Sequence, residues 1–391
     1  MKVLIVTREF PNALEPGLAP FNRQQFAALG ALCEVDVCAP VPWFPGASAF
    51  AHWSRAGRHP GVPREERVDG LPVVHPRYAY VPRVGYIAGG ALYAASLAPE
   101  LRRRGTRYDV ILGSWAFPDG VGAVALGRLL GVPAVVKVHG SDMNVLAHTP
   151  SIAFNLRWAL PRARRVVAVS RPLGDTVASF GVPRDRIDIV PNGVDADLFR
   201  PRDRATARAE LGYAGDERRW LLYVGRLEQA KGVLDLLEAF SLLLRRRTDV
   251  RLVIVGDGTE RGSFARTAAG ELGDRVLVAG QRPLEEVPRW MAACNALVLP
   301  SWAEGTPNVV LEALACGRRV VATAVGGTPD LITGRDLGEL VPPRNPAILA
   351  DALDRAASAA YSPEDVARAG ARGSWNESAR RLEASLRAAL A

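Results

Sequence analysis

Two glutamates eight positions apart, Glu304 and Glu312, lie in the run Pro300-Ser301-Trp302-Ala303-Glu304-Gly305-Thr306-Pro307-Asn308-Val309-Val310-Leu311-Glu312-Ala313-Leu314. The apolar Leu297–Leu299 before it reads as a buried strand, so the run starts at a strand end. Thr306 suits an N-cap and Pro307 the first helical position, which predicts a helix beginning there. Glu304 then sits in a loop facing a cleft, and the amides from Gly305 to Asn308 point outward as donors for an anion or for sugar hydroxyls. Glu312 falls about one and a half turns into an otherwise apolar helix. A carboxylate there either forms a structural salt bridge or accepts two hydrogen bonds from a vicinal diol such as a ribose.

A second strand-end loop, Gly225-Arg226-Leu227-Glu228-Gln229-Ala230-Lys231-Gly232, follows Leu221–Val224 and precedes a helical pattern. Two cations beside a helix start suit a diphosphate. Lys231 stands out because the chain holds three Lys against 46 Arg. A compact ammonium is a reason to keep Lys where a guanidinium fork would not fit. Earlier in the chain, Gly17 after the first strand offers close backbone approach to a phosphate. His139, at the end of Ala134–Val138 and followed by Gly140-Ser141-Asp142, is placed to face the same cleft. Gly256-Asp257-Gly258 imitates a dinucleotide fingerprint, but no acid closes the next strand to hold a ribose; Arg282 just beyond would suit a 2′-phosphate. No phosphate-binding P-loop occurs, and Cys33, Cys38, Cys294 and Cys316 match no metal spacing, so no metal site is expected.

Positioning such loops takes strands and helices in alternation. Short apolar runs alternate with helical segments such as Arg23–Leu32 and Gly120–Leu130, pause across residues 195–215, and resume. That is the rhythm of two doubly wound α/β domains in tandem, whose ligands bind outside the carboxyl ends of the strands. Two such sheets facing each other would enclose a cleft walled by these loops. Trp375 to Leu390 reads as a terminal amphipathic helix, with Leu382, Leu386 and Leu390 on one face.

Composition narrows the class. The chain has 391 residues, 48% of them hydrophobic, and only four Cys, which excludes disorder and a disulfide scaffold. Residues 1–195 hold 22 Lys and Arg against 15 acids, whereas 196–391 hold 27 against 26. A basic half fits nucleic acid, an anionic membrane or a phosphorylated substrate. The basic clusters are short and lack interleaved aromatics, so nucleic acid is set aside. Met1–Thr7 is too short for a signal-peptide core and reads as a buried first strand, while the four Cys read as buried free thiols, which points to a reducing cytoplasm. Val84–Pro99, uncharged but interrupted by Gly85, Gly89 and Gly90, is shorter than the ~20 apolar residues of a membrane span. It reads as a core helix, or as a surface helix dipping into an anionic bilayer with Arg102, Arg103 and Arg104 as its anchor.

Taken together, EGTPNVVLEAL with its Glu-x7-Glu, the VGRLEQAKG loop, VPNGVD at 190–195, the Gly17 loop, His139-Gly-Ser-Asp and the Trp375 helix resemble family-4 retaining glycosyltransferases of the GT-B fold, over nearly the whole chain. The resemblance implies an acceptor domain over 1–199, joined by a helix at 374–391, and a nucleotide-sugar domain over 200–373. It implies that Arg226 and Lys231 bind the donor diphosphate, Glu312 the ribose diol and Glu304 the sugar hydroxyls. Gly305 and Thr306 would offer amides, Gly17 would approach the distal phosphate, and His139 would contact the sugar or leaving group. Glu304, His139, Arg226 and Lys231 form the implied catalytic set, with the base near Gln281 and Arg282. Leu18 stands where many members carry a second glycine. The implied reaction moves a hexosyl unit from a UDP- or GDP-sugar, with retention and without a metal or other cofactor, to a glycan or lipid-linked acceptor of the cell envelope or an exopolysaccharide. The enzyme would be cytoplasmic, with an anionic membrane surface available to its basic half. Rival readings are a nucleotide-sugar epimerase of the same architecture, a non-catalytic nucleotide-sugar-binding protein, and an NADP enzyme.

Overall fold

Apolar runs that leave no polar face need cover on both sides, and parallel sheets flanked by helices supply it. The computed structural model describes residues 1–44, 61–79 and 85–391. They divide into two units, Met1–Asn192 with Trp375–Ala391, and Gly193–Ser374.

The first unit contains β1 (Lys2–Val6), β2 (Glu34–Cys38), β3 (Val41–Trp43), β4 (Glu65–Val68), β5 (Leu71–Val74), β6 (Arg77–Ala79), β7 (Val110–Ser114), β8 (Ala134–Val138), β9 (Arg165–Ala168) and β10 (Ile187–Ile189). Eight form one sheet in the order β10-β9-β8-β7-β1-β2-β5-β4, with only β4–β5 antiparallel; β3 and β6 pair separately. Alternation along β1 divides the core. Val3 and Ile5 join Phe26, Leu382 and Leu386, whereas Leu4 and Val6 join Tyr93, Leu97 and Leu126.

The helix Trp375–Ala388 therefore completes the first unit, although it is the last element of the chain. Its Ser378 accepts a hydrogen bond from Gln25 Nε2 at 2.7 Å and donates to the carbonyl of Pro191 at 2.6 Å. Gln25 also accepts from the buried Lys137 ammonium. Burial lowers the Lys137 pKa to about 7, partly opposed by Asp142.

The second unit contains β11 (Arg219–Val224), β12 (Val250–Val255), β13 (Val276–Gly280), β14 (Ala296–Leu299), β15 (Arg319–Thr323) and β16 (Gly338–Val341). All are parallel, in the order β13-β12-β11-β14-β15-β16. The strand order reverses between β11 and β14, as it does between β1 and β7 in the first unit. In open α/β sheets such a reversal marks where ligands bind, outside the carboxyl ends of the strands.

Four details depart from the expectations above. The helix after β14 is Asn308–Ala315, one residue later than predicted, and Pro307 precedes it with ψ 106°. Neither Thr306 nor Pro307 is helical, because the loop before them is held elsewhere: Gly305 O accepts from Gly327 N at 2.7 Å. The first helix runs Pro20–Gly30 rather than 23–32. Asp69-Gly70, both at positive φ, turns β4 back on β5 in a hairpin; the Asp-Gly pair was the available signal. Finally, Val84 lies outside the described residues, and the helix Gly85–Arg104 carries Pro99 in its interior. Arg103 and Arg104 both pair with Glu100, and Arg104 also with Glu65, so carboxylates already engage two of the three expected anchors. Among the described residues no helix is long and apolar enough to cross a membrane.

Candidate functional site

In the second unit, the loops leaving β11 and β14 meet at the reversal of strand order, and they are stitched together. Trp302 N donates to Ala230 O at 2.9 Å, and its indole N–H donates to Asp235 at 2.8 Å. Gly232 has φ 66°, and a Cβ there would lie 2.0 Å from Pro300 O, so only glycine permits this approach. Next to that junction, Lys231 Nζ donates to Glu304 Oε1 at 2.7 Å; their side chains are 24% and 11% exposed. Two residues chosen for separate reasons are thus one ion pair. The pairing holds both long side chains in place and keeps the ammonium from being an isolated charge.

Arg226, from the same loop, is 69% exposed and reaches Glu228 at 2.8 Å. Its carbonyl accepts from the Tyr223 hydroxyl at 2.7 Å, which fixes the backbone and leaves the guanidinium outside. Gly256-Asp257-Gly258 proves to be packing: Leu227 N donates to Asp257 O at 2.9 Å, and Glu260 N to Leu227 O at 2.8 Å. Arg282 donates to Ala279 O, stacks over Trp290 with its centre 5.8 Å from the ring centroid, and lies 3.8 Å from Glu286.

Glu312 is the fifth residue of the helix Asn308–Ala315. No ion pair or hydrogen bond to its carboxylate exists among the described residues, which removes the structural salt bridge as its explanation. Desolvation alone raises its pKa from 4.5 to about 7. A partly buried carboxylate lacking a protein partner has its full acceptor capacity left for a ligand.

The first unit has its own polar cluster at the β1/β7 reversal. His139 lies between rings, stacked on Trp115 at 5.3 Å and tilted against Phe21 at 5.1 Å. Its Nε2 is 2.9 Å from Ser114 Oγ, and Ser114 donates to Asn22 Oδ1 at 3.2 Å. The turn is set by Asp142, whose buried carboxylate accepts backbone N–H bonds from Ala116, His139, Gly140 and Met143. Burial first, then Lys137, pushes the His139 pKa well below 6.5, so the imidazole is neutral. Gly17 lies in a turn closed by Leu18 N to Glu15 O at 3.1 Å, and a Cβ at Gly17 would meet nothing within 4 Å.

Lys231 and Glu304 are therefore in contact; Arg226, Arg282 and Glu312 belong to the same unit but have separate surroundings; His139 and Gly17 belong to the other unit. Asn22, Ser114 and Asp142 are residues that sequence reasoning assigned no role. Only Asp142 had a signal, as an acid just inside a helix start after His139-Gly140.

Residues 23–198 match the family "Glycosyltransferase Family 4", and residues 218–359 match "Glycosyl transferases group 1". The chain is 30% identical over 361 residues to a putative teichuronic acid biosynthesis glycosyltransferase, TuaC, of Bacillus subtilis, covering 91% of this chain and 89% of that protein. It is 33% identical over 322 residues to the alpha-D-kanosaminyltransferase of Streptomyces kanamyceticus, covering 76% and 83%. Among solved structures, Anabaena HepE in complex with UDP superposes with a TM-score of 0.73 at 20% identity, covering 99% of this chain and all of that one. HepE in complex with UDP-glucose gives 0.69, also at 20% identity, covering 99% of each chain. These likenesses carry the GT-B fold.

Proposed function

The chain belongs to glycosyltransferase family 4, retaining enzymes that take their sugar from a nucleotide-sugar, and from that premise we propose that it moves a hexosyl unit from a UDP-sugar to a glycan or lipid-linked acceptor in cell-envelope or exopolysaccharide synthesis. The observation that carries the reading is the Lys231–Glu304 pair at the strand-order reversal, with the unpartnered Glu312 on the helix that follows. The UDP and UDP-glucose bound by HepE favour uridine over guanosine, and the teichuronic acid relative favours an envelope polymer.

In this reading Lys231 and Arg226 face the diphosphate. Departure of the leaving group builds negative charge there, and cations stabilise it more as it develops. This is the role a metal ion would otherwise fill. Glu304, oriented by Lys231, accepts from sugar hydroxyls; Gly305 and Thr306 offer amides; Glu312 accepts from both ribose hydroxyls. Gly17 is assigned to the distal phosphate and His139 to the sugar or leaving group, as the family resemblance implies, and the base to the neighbourhood of Gln281 and Arg282. No side chain is cast as a nucleophile. The acceptor attacks on the face the diphosphate leaves, and the leaving phosphate takes its proton. The basic first half, with its helix Gly85–Arg104, is the part suited to a lipid-linked acceptor at an anionic membrane surface.

Donor turnover tests the reading. The full chain is given UDP-glucose, other UDP-hexoses and GDP-mannose, and release of the nucleoside diphosphate is followed. Release from a UDP-hexose, accelerated by a lipid-linked glycan fraction, is expected. Conversion of a nucleotide-sugar to its epimer without release would overturn it.

A further inference from the structure

The hydrogen-bond chain behind His139 has only one arrangement of protons that leaves no lone pair facing another. A carbonyl oxygen can only accept, so Asn22 Nδ2, 2.7 Å from Glu9 O, is the amide nitrogen and the other terminal atom is Oδ1. Oδ1 in turn only accepts, so Ser114 must donate its single proton across 3.2 Å to it. Ser114 Oγ has then no proton left for the imidazole, and His139 Nε2, at 2.9 Å, must be the donor. Asn22 and Ser114 are completely buried, so their polar atoms depend on these contacts rather than on bulk solvent. A neutral ring protonated at Nε2 carries a bare lone pair on Nδ1, which has no partner among the described residues. The ring plane is fixed independently by Trp115 and Phe21 and by the turn that Asp142 holds.

We infer that Asn22 and Ser114 are positioning residues that lock His139 as the Nε2–H tautomer, so that its Nδ1 accepts a hydrogen bond from a donor-sugar hydroxyl and discriminates against a uronate carboxylate at that place. The inference rests on the proposed reading that His139 meets the donor sugar. A hydroxyl has a proton to give Nδ1; a carboxylate brings lone pairs against a lone pair, with no positive charge on the ring to attract it. Ser114→Ala removes the acceptor of the Nε2 proton. A buried donor without a partner is unfavourable, so the proton shifts to Nδ1 and the acceptor atom is lost.

The test uses histidine-labelled full-length protein, with the His139 ring signals assigned by their loss in His139→Gln. In the wild type at neutral pH, ¹⁵N spectra should show Nε2 protonated and Nδ1 bare. Ser114→Ala should move the proton toward Nδ1, raise the KM for UDP-glucose about tenfold with a smaller change in kcat, and narrow the preference for UDP-glucose over UDP-glucuronate. Ser114→Thr should restore all three. Protonation at Nδ1 in the wild type overturns the inference, and that measurement needs no variant to fold. An unchanged tautomer in folded Ser114→Ala overturns it too. Tautomers as stated, with donor kinetics indifferent to both Ser114 variants, overturn the positioning role and show that the reading of His139 at the donor is what failed.

Discussion

At the scale of single residues, the candidate site of the second unit offers the Lys231–Glu304 ion pair and, in Glu312, a carboxylate without a partner among the described residues. Charge-assisted hydrogen bonds contribute about 1.5–3 kcal/mol each, and each 1.36 kcal/mol is tenfold in rate. Lys231→Ala should therefore lower kcat/KM for donor by roughly 10- to 100-fold, and Lys231→Arg should fail to restore it, because the larger planar guanidinium cannot put its charge where the compact ammonium sits beside Glu304. Steady-state donor kinetics decide this; wild-type rates in Lys231→Ala with saturating donor would end the cation argument.

Glu312 supplies a pH signature. Its folded pKa, about 7, lies above the usual 4.5, so the folded chain holds this proton more tightly than the unfolded one. Its contribution to stability is complete below about 4.5 and is lost as pH rises through 7. Glu312→Gln should thus raise the Tm at pH 8 by a few degrees and leave it nearly unchanged at pH 4. Donor affinity should move the opposite way. It should strengthen in the wild type from pH 6 to 8, as the carboxylate ionises to accept two hydroxyls, and be weak and flat with pH in Glu312→Gln.

At the scale of elements, the site depends on how closely two loops approach. Gly232→Ala puts a Cβ 2.0 Å from Pro300 O, in left-handed backbone. Its expected effect is a lower Tm and a donor KM raised at least tenfold, since the Lys231–Glu304 junction must open to relieve the clash. An unaltered Tm and KM would show that the loops are not tied there. This scale also separates what was legible from what was not. Periodicity disclosed the α/β rhythm, since β7, β8, β12 and β14 are apolar at nearly every position and buried throughout. Residue type and spacing singled out Lys231, Glu304 and Glu312. What spacing cannot carry is contact between distant segments. Lys231 and Glu304 are 73 positions apart, and Ser114 and Asn22 are 92 apart, so neither pair leaves a local pattern. The helix start at Asn308 was misplaced for the same reason: Gly327, far along the chain, holds Gly305 and delays it.

At the scale of the whole molecule, the excess of positive charge lies in residues 1–195, while the candidate donor loops belong to the nearly neutral remainder. Attraction of that half to an anionic surface would be electrostatic and screened by salt. Co-sedimentation with phosphatidylglycerol vesicles should be strong at 20 mM salt and lost by about 0.5 M, where the Debye length falls well below its ~8 Å physiological value. No sedimentation with anionic vesicles, or equal sedimentation with neutral ones, would remove the membrane from the account.

The central claim is that the loops after β11 and β14 bind the nucleoside diphosphate of a sugar donor through Lys231. Thermal unfolding of the full chain at pH 8 with UDP, GDP, ADP and UDP-glucose tests it most directly, because a ligand that binds only the folded state stabilises by about 2.7 kcal/mol at a hundred times its Kd. The account predicts that UDP and UDP-glucose raise the Tm by several degrees in the wild type and leave Lys231→Ala nearly unmoved. No shift with any nucleotide, or the same shift in Lys231→Ala as in the wild type, would contradict it.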